Sequence, residues 1–284
     1  MRIFLLIMIL IFNLQGKSFF ANSDQEDNSK YIGALKDLII STQKTRGLTN
    51  SFLNGNTTSL LLVYSHREEM KKAIGTMESL PLAADPIINN RATSISESLI
   101  ELNRKALKSD APTVFEKYTE LIEQTLMLAQ TVSKRGSQDL NPLAQKLSTL
   151  MMETILPLSE YVGQMRGMGS GILAKGQITN VQDAQMLAII NEIGRLSTYL
   201  VTTMKTIAAA NGSKFDPSLE SKLTTIERFS KKYVSLTKEE ILQKINIDYD
   251  PDTYFDKGTA LISVLIDVYN IDNKVILDDS QGWF

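Results

Sequence analysis

The sequence predicts an all-α protein: two four-helix bundles, about eight helices in all, preceded by a signal peptide. From Asn28 onward, apolar residues recur in steps of three and four almost throughout, the period of one buried stripe on a helix. Short polar breaks containing Pro, Gly or Asn separate these stretches, which suits antiparallel neighbours joined by tight connections. No run of useful length alternates apolar and polar as a half-buried strand would. The heptad phasing is imperfect, so an extended two-stranded coiled coil is not expected.

The chain opens with Met1-Arg2 and an unbroken apolar run from Ile3 to Phe12, then turns polar in NLQGKSFFANS at residues 13–23. Crossing a bilayer takes about 20 apolar residues, and this run is shorter. The pattern is that of a secretory signal peptide, with cleavage after Ser23 (small residues at −1 and −3) or Ala21. The expected organisation is residues 1–23 as signal peptide and residues 24–284 as one helical ligand-binding domain. With no cysteine after the run there is no lipoprotein anchor. No later segment is apolar for long enough to span, so the expected location is the periplasm.

Composition removes several function classes. The 284 residues carry a formal net charge of −2 with pI near 5.6, so no basic field invites nucleic acid. There is no cysteine, which excludes disulfides, thiol catalysis, zinc–thiolate sites and iron–sulfur clusters. The single histidine, His66, leaves little for imidazole metal sites or a histidine-based triad. No catalytic residue, metal site or cofactor is expected.

Residues 29–55 put Ile32, Leu35, Ile39, Thr42, Arg46, Thr49 and Leu53 on one stripe, closed by Asn54-Gly55-Asn56. A second segment, 58–79, brings Leu61, Leu62, Tyr64 and Met70 ahead of Ile74 and Met77. Pro81 and Pro86 bracket a break before the third, 87–108, with Ile95, Leu99, Ile100 and Leu102. DAPT at 110–113 reads as a cap and start signal for the fourth, which extends to Arg135. The fifth covers 140–175 and should kink or restart at Pro157. The sixth covers 180–210, the seventh runs from Asp216-Pro217 to Leu236, and the last from Asp252 to Asn273. The tail at 274–284 is expected to be irregular or extended.

One element occurs twice. STQKTRGLTNSFLNG at 41–55 and EYVGQMRGMGSGILAKG at 160–176 superimpose Arg166-Gly167 on Arg46-Gly47, with Ile172 on Phe52 and Leu173 on Leu53. A single arginine in an apolar seam ordinarily snorkels, its stem packed and its head in water. Two at the same seam position, each followed by glycine, argue for a role. A buried cation must be paired or it costs several kcal/mol. No acid shares the seam beside Arg46, and Glu160 is near Arg166 but off its stripe. Two forks aimed into one bundle would repel until an anion enters. Guanidinium donors suit the planar oxygens of carboxylate, phosphate or a nitrate-like ion. Glycine after arginine lets helices approach and leaves room for a ligand, while Thr49 and Ser170 could add hydroxyls.

These two stretches resemble the arginine–glycine signatures of the nitrate- and nitrite-sensing (NIT) domain family. DPDTYFDKGTALISVLIDVY at 250–269 resembles its late element, with Tyr254-Phe255 opening the helix, then Thr259 and the Ile262-Leu265 stripe. The likeness spans about 30–275; Tyr254 stands where a Trp is more usual. The resemblance implies an all-helical pair of four-helix bundles that binds nitrate or nitrite and passes a shape change to an output. It gives Arg46 and Arg166 the ligand-contact role and leaves Arg195 and Arg228 unassigned. It implies a small anion as ligand, a membrane-bound signalling protein as reader, and allows a homodimer. Relatives commonly carry membrane-embedded or RNA-binding output modules; the chain here stops about ten residues past the last helix, which suggests a free exported binding subunit.

Two other readings remain open at this stage: an exported interaction scaffold whose arginines pair with a partner's or internal carboxylates, and the same fold tuned to another small anion. The lesser motifs have plain structural explanations. Glu68-Glu69 beside Lys71-Lys72 reads as a solvated face. Asp248, Asp250 and Asp252 read as a turn and helix cap rather than a calcium loop. Met151-Met152 reads as core filler.

Overall fold

The structure, a computed structural model, describes the backbone of residues 2–281 and the side chains of residues 25–279. Among the described residues it contains nine α-helices and no strand: α1 Arg2–Leu53, α2 Ser59–Ser79, α3 Pro86–Lys105, α4 Ala111–Gly136, α5 Pro142–Leu150, α6 Leu156–Lys175, α7 Asn180–Asn211, α8 Leu219–Thr237 and α9 Pro251–Gln281. A π turn, Met151–Ile155, fuses α5 and α6 into one rod, so the rods number eight, as the periodicity predicts. Pro157 follows that turn after a single residue, Leu156. A proline lacks the N–H for the helix ladder and its ring crowds the carbonyl four residues back; widening the preceding turn absorbs both defects without breaking the rod.

Helix starts are set locally. Asp85, Asp110 and Asn141 each accept a backbone N–H of the first turn, and each helix has proline at one of its first two positions. Thr179 and Gln182 form a reciprocal capping box at the start of α7, and Gly176, at φ 69°, closes α6 in the left-handed region. The last helix runs on to Gln281, so the stretch expected to be irregular from residue 274 is helical as far as that residue; Val275 and Ile276 are buried and extend its apolar stripe. The signal-peptide expectation falls on residues whose side chains lie outside those described. No helix among the described residues is long and apolar enough to cross a membrane.

The second half of α1 packs with α2 and α4, and α3 with α4, as one four-helix bundle; the α5–α6 rod, α7, α8 and α9 form the other. The two lie side by side through α1 and α6 rather than sharing a helix or stacking end to end. On α2, Leu61, Leu62 and Tyr64 are exposed and Val63 faces inward, while Ile100 on α3 is likewise exposed; the inward stripe of α2 is Val63, Met70, Ile74 and Met77. Met151 and Met152 are core residues.

The seam between the bundles is made by glycine. A Cβ on Gly47 would sit 3.1 Å from the Gly167 Cα, and one on Gly167 would sit 2.9 Å from the Gly47 Cα. Farther along, Gln43 faces Glu160 and Gly163, Asn50 faces Gly167 and Gly171, and Gly55 faces Ala174. The helices therefore run parallel, in register at an offset of about 120 residues, the same offset that separates the two copies of the arginine–glycine element.

Gly167→Ala should destabilise by about 1–3 kcal/mol, because its new methyl meets backbone rather than a flexible side chain. Gly33, also on α1, has nothing within 4 Å of the place a methyl would take, and should gain about 0.5–1 kcal/mol as alanine. Urea denaturation of the two variants checks the contrast; equal responses would contradict the glycine seam.

Candidate functional site

Because homologous positions face one another across the α1–α6 seam, each arginine leaves it on its own side and meets an aromatic helix. Arg46 lies over the Phe115 ring of α4, with 4.9 Å from Cζ to the centroid. Arg166 lies over the Phe255 ring of α9 at 4.4 Å. One turn on, Arg46 Nη1 donates to the Thr119 hydroxyl at 2.8 Å, and Arg166 Nη1 donates to the Thr259 hydroxyl at 2.9 Å. Each hydroxyl in turn donates to its phenylalanine's carbonyl. The helices that supply these groups start alike: DAPTVFEKYT at 110–119 and DPDTYFDKGT at 250–259. Asp110 and Asp250 both cap, accepting the N–H of Thr113 and Thr253. The arginine–glycine repeat is thus one part of a larger duplication, Arg-Gly on α1 and α6 and Phe-x-x-x-Thr on α4 and α9.

The two halves differ in charge. On the first side Glu160 of α6 takes the Arg46 fork on both oxygens: Nη1 donates to Oε1 at 2.5 Å and Nη2 to Oε2 at 3.2 Å. Gln164 Nε2 adds a bond to Oε1 and Gln43 Nε2 one to Oε2, both 2.9 Å. Arg46 is fully buried and Glu160 4% exposed. On the second side Arg166 is 1% exposed, faces no carboxylate among the described residues, and leaves Nε and Nη2 without a hydrogen-bond partner. Burial pushes its guanidinium down from the usual arginine range to about 10; Tyr233 and Glu160 push it up and Arg46 pushes it down. It remains cationic at neutral pH.

Arg166 and Thr259 stand at the floor of a cleft of about 520 Å³ between α1, α2 and α9. Ile40, Lys36, Lys44 and Lys72 are among its walls. Its acids are already engaged by lysines: Glu69 lies 3.7 Å from Lys44, Asp37 2.9 Å from Lys36, and Asp267 2.6 Å from Lys222. The site can therefore offer a guanidinium edge and nearby ammonium groups to a small oxyanion, while the Thr259 hydroxyl, already donating to the Phe255 carbonyl, holds the fork.

Both sequence-predicted arginines are buried at the seam, but the picture of two mutually repelling forks is corrected. Glu160 neutralises Arg46, although it lies off the stripe, because α6 presents that face to α1 at the 120-residue offset. Nor do the glycines leave room for a ligand: the space is filled by the facing glycine and by Phe255 and Phe115. The Ser170 hydroxyl donates to its own helix carbonyls at Arg166 and Gly167, and Thr49 is fully buried. Arg195 and Arg228 are exposed, Arg195 paired with Glu192 and Arg228 over Phe229. Sequence reasoning missed Glu160, Phe115, Thr119 and Lys44; the matching DxxTxF and FxxxT spacings of the fourth and last helices were the signal for the middle two.

The fold and the site together define an all-helical, two-bundle domain with two buried arginines at its centre, one paired with a carboxylate and one not. The family described as nitrate and nitrite sensing (NIT) matches residues 37–271, and the chain belongs to that family. The fold is also that of a solved structure, the NasR transcription antiterminator, at a TM-score of 0.65 and 13% identity, covering 98% of this chain and 75% of that one. No curated protein matches the chain.

Removing one member of the buried pair leaves an unpaired charge, so Arg46→Met should cost about 3–5 kcal/mol. Arg166→Met removes a charge that has no carboxylate and keeps the packed stem, so its stability should be unchanged or raised. Urea midpoints of the two variants compare them directly, and equal losses would show that the halves are not electrostatically distinct.

Proposed function

We propose that the chain is an exported, non-catalytic sensor domain that holds nitrate or nitrite at Arg166. The observation that carries this is a fully buried guanidinium whose Nε–Nη2 edge has no partner at the floor of a lysine-walled cleft. A guanidinium edge makes two parallel charge-assisted hydrogen bonds to a planar oxyanion, and the family assignment supplies the anion class. Thr259, whose hydroxyl already touches Nη1, lies within the same cleft and steadies the fork.

The free edge of Arg166 is itself sealed from solvent, so an anion reaches it only if the walls of the cleft part. Occupancy then shifts the packing of α9 against α1, since a ligand biases two states only by its differential affinity for them. The α1–α6 seam is already in glycine contact, and the movement belongs to the cleft instead. A membrane-bound signalling protein would read that shift in the periplasm. Arg46 makes the internal ion pair that the rival scaffold reading allowed, with Glu160. That reading does not suit Arg166, which no partner's side chain can touch while it is buried.

Calorimetric titration of nitrate and nitrite, followed by a panel of carboxylates and halogen oxyanions, tests this. Arg166→Met should abolish binding, and Thr259→Val should weaken it by about ten-fold, the value of one hydrogen bond to a charged group. Absence of heat and of any thermal shift at millimolar nitrate or nitrite would remove the proposal.

A further inference from the structure

The duplication pairs each residue of the first half with one of the second: Arg46 with Arg166, Phe115 with Phe255, Thr119 with Thr259. The α1–α6 offset that relates Arg46 to Arg166 also pairs Glu160 with Ile40, and Gln164 with Lys44. Ile40 and Lys44 do line the cleft with Arg166, where the pairing puts them. The first half therefore holds a planar, delocalised carboxylate that receives four hydrogen bonds: two from the Arg46 fork and one each from Gln43 and Gln164. The second half has the same arginine, aromatic and hydroxyl. It has isoleucine in place of the carboxylate and a lysine in place of the neutral amide.

We propose that Glu160 is a tethered anion that fills the first of two homologous oxyanion half-sites, so that the chain exchanges one oxyanion, at Arg166. The Arg46 pocket is a built oxyanion site in its own right, occupied from within the chain. Glu160 is then the residue that sets stoichiometry, and Lys44 the one that biases the second half toward an outside anion. This rests on the reading of Arg166 as the anion site, but the Arg46 half can be tested without it.

In an Arg166→Met background the second half is removed. There the chain should show no thermal response to formate or nitrate while Glu160 is present. Adding Glu160→Ala should create a response at Arg46, with formate or nitrate at about a hundred times its Kd raising Tm by roughly 5–10 °C. Glu160→Gln in the same background, which keeps the side-chain volume, should respond more weakly than Glu160→Ala. A helical protein by circular dichroism that shows no response in either double variant overturns the proposal. Stoichiometry of the unaltered protein gives an independent check: one nitrate per chain supports it and two overturn it. No binding to the unaltered protein would sink the Arg166 reading alone, since the Glu160 variants would still decide the first half.

Discussion

The contact between Gly47 and Gly167 is the constraint on which the centre of the molecule depends. Two helices can touch at their backbones only where neither carries a side chain, and here each glycine's missing Cβ is the space the other's Cα occupies. The contact fixes α1 and α6 in parallel at one register. It also fixes where the preceding residue points: with the glycines at the interface, Arg46 and Arg166 are turned off the seam toward α4 and α9. Phe115 and Phe255 complete the packing from outside, since each ring edge approaches the opposite glycine and each ring face carries an arginine. Packing and electrostatics are therefore not separable in this protein. The residues that let the bundles meet also bury the charges.

Burying a guanidinium is costly unless donors find acceptors, and the two halves resolve that cost differently. Glu160 gives Arg46 a carboxylate with both oxygens engaged, and the glutamines satisfy its remaining lone pairs, the arrangement in which a buried pair is least expensive. Arg166 has an aromatic face and one hydroxyl. Those ease desolvation without neutralising the charge, which is why its guanidinium is pushed down to about 10.

Much of this is legible in the chain. The periodicity and the caps at Asp110 and Thr179 mark the helices, and the recurrence of Arg-Gly marks the seam. Glu160 is not legible as a partner because an acid six residues before an arginine on the same helix cannot reach it; the relevant arginine lies on another helix, and only the register of two parallel rods brings them together. The glycines mislead for a related reason, since a missing side chain leaves space whose occupant depends on what faces it. Leu61, Leu62 and Tyr64 fail as core residues because an apolar cluster has no phase of its own; the phase comes from Met70, Ile74 and Met77, which place Val63 inward. The end of α9 extends past Asn273 because Val275 and Ile276 continue the stripe beyond the polar Asn273-Lys274 pair.

The asymmetry of the two halves has a thermodynamic logic that bears on sensing. Two unneutralised guanidiniums in one seam would add mutual repulsion to two desolvation penalties, and the folded state would depend on ligand for its existence. Two internally neutralised ones would leave nothing for a ligand to relieve. One of each gives a fold that stands on its own while retaining, at the seam, one guanidinium that meets no carboxylate among the described residues. That guanidinium lies beneath a cleft formed by α1, α2 and α9, on the side away from the glycine contact. The first half has its guanidinium already neutralised, by a carboxylate that Gln43 and Gln164 also hold.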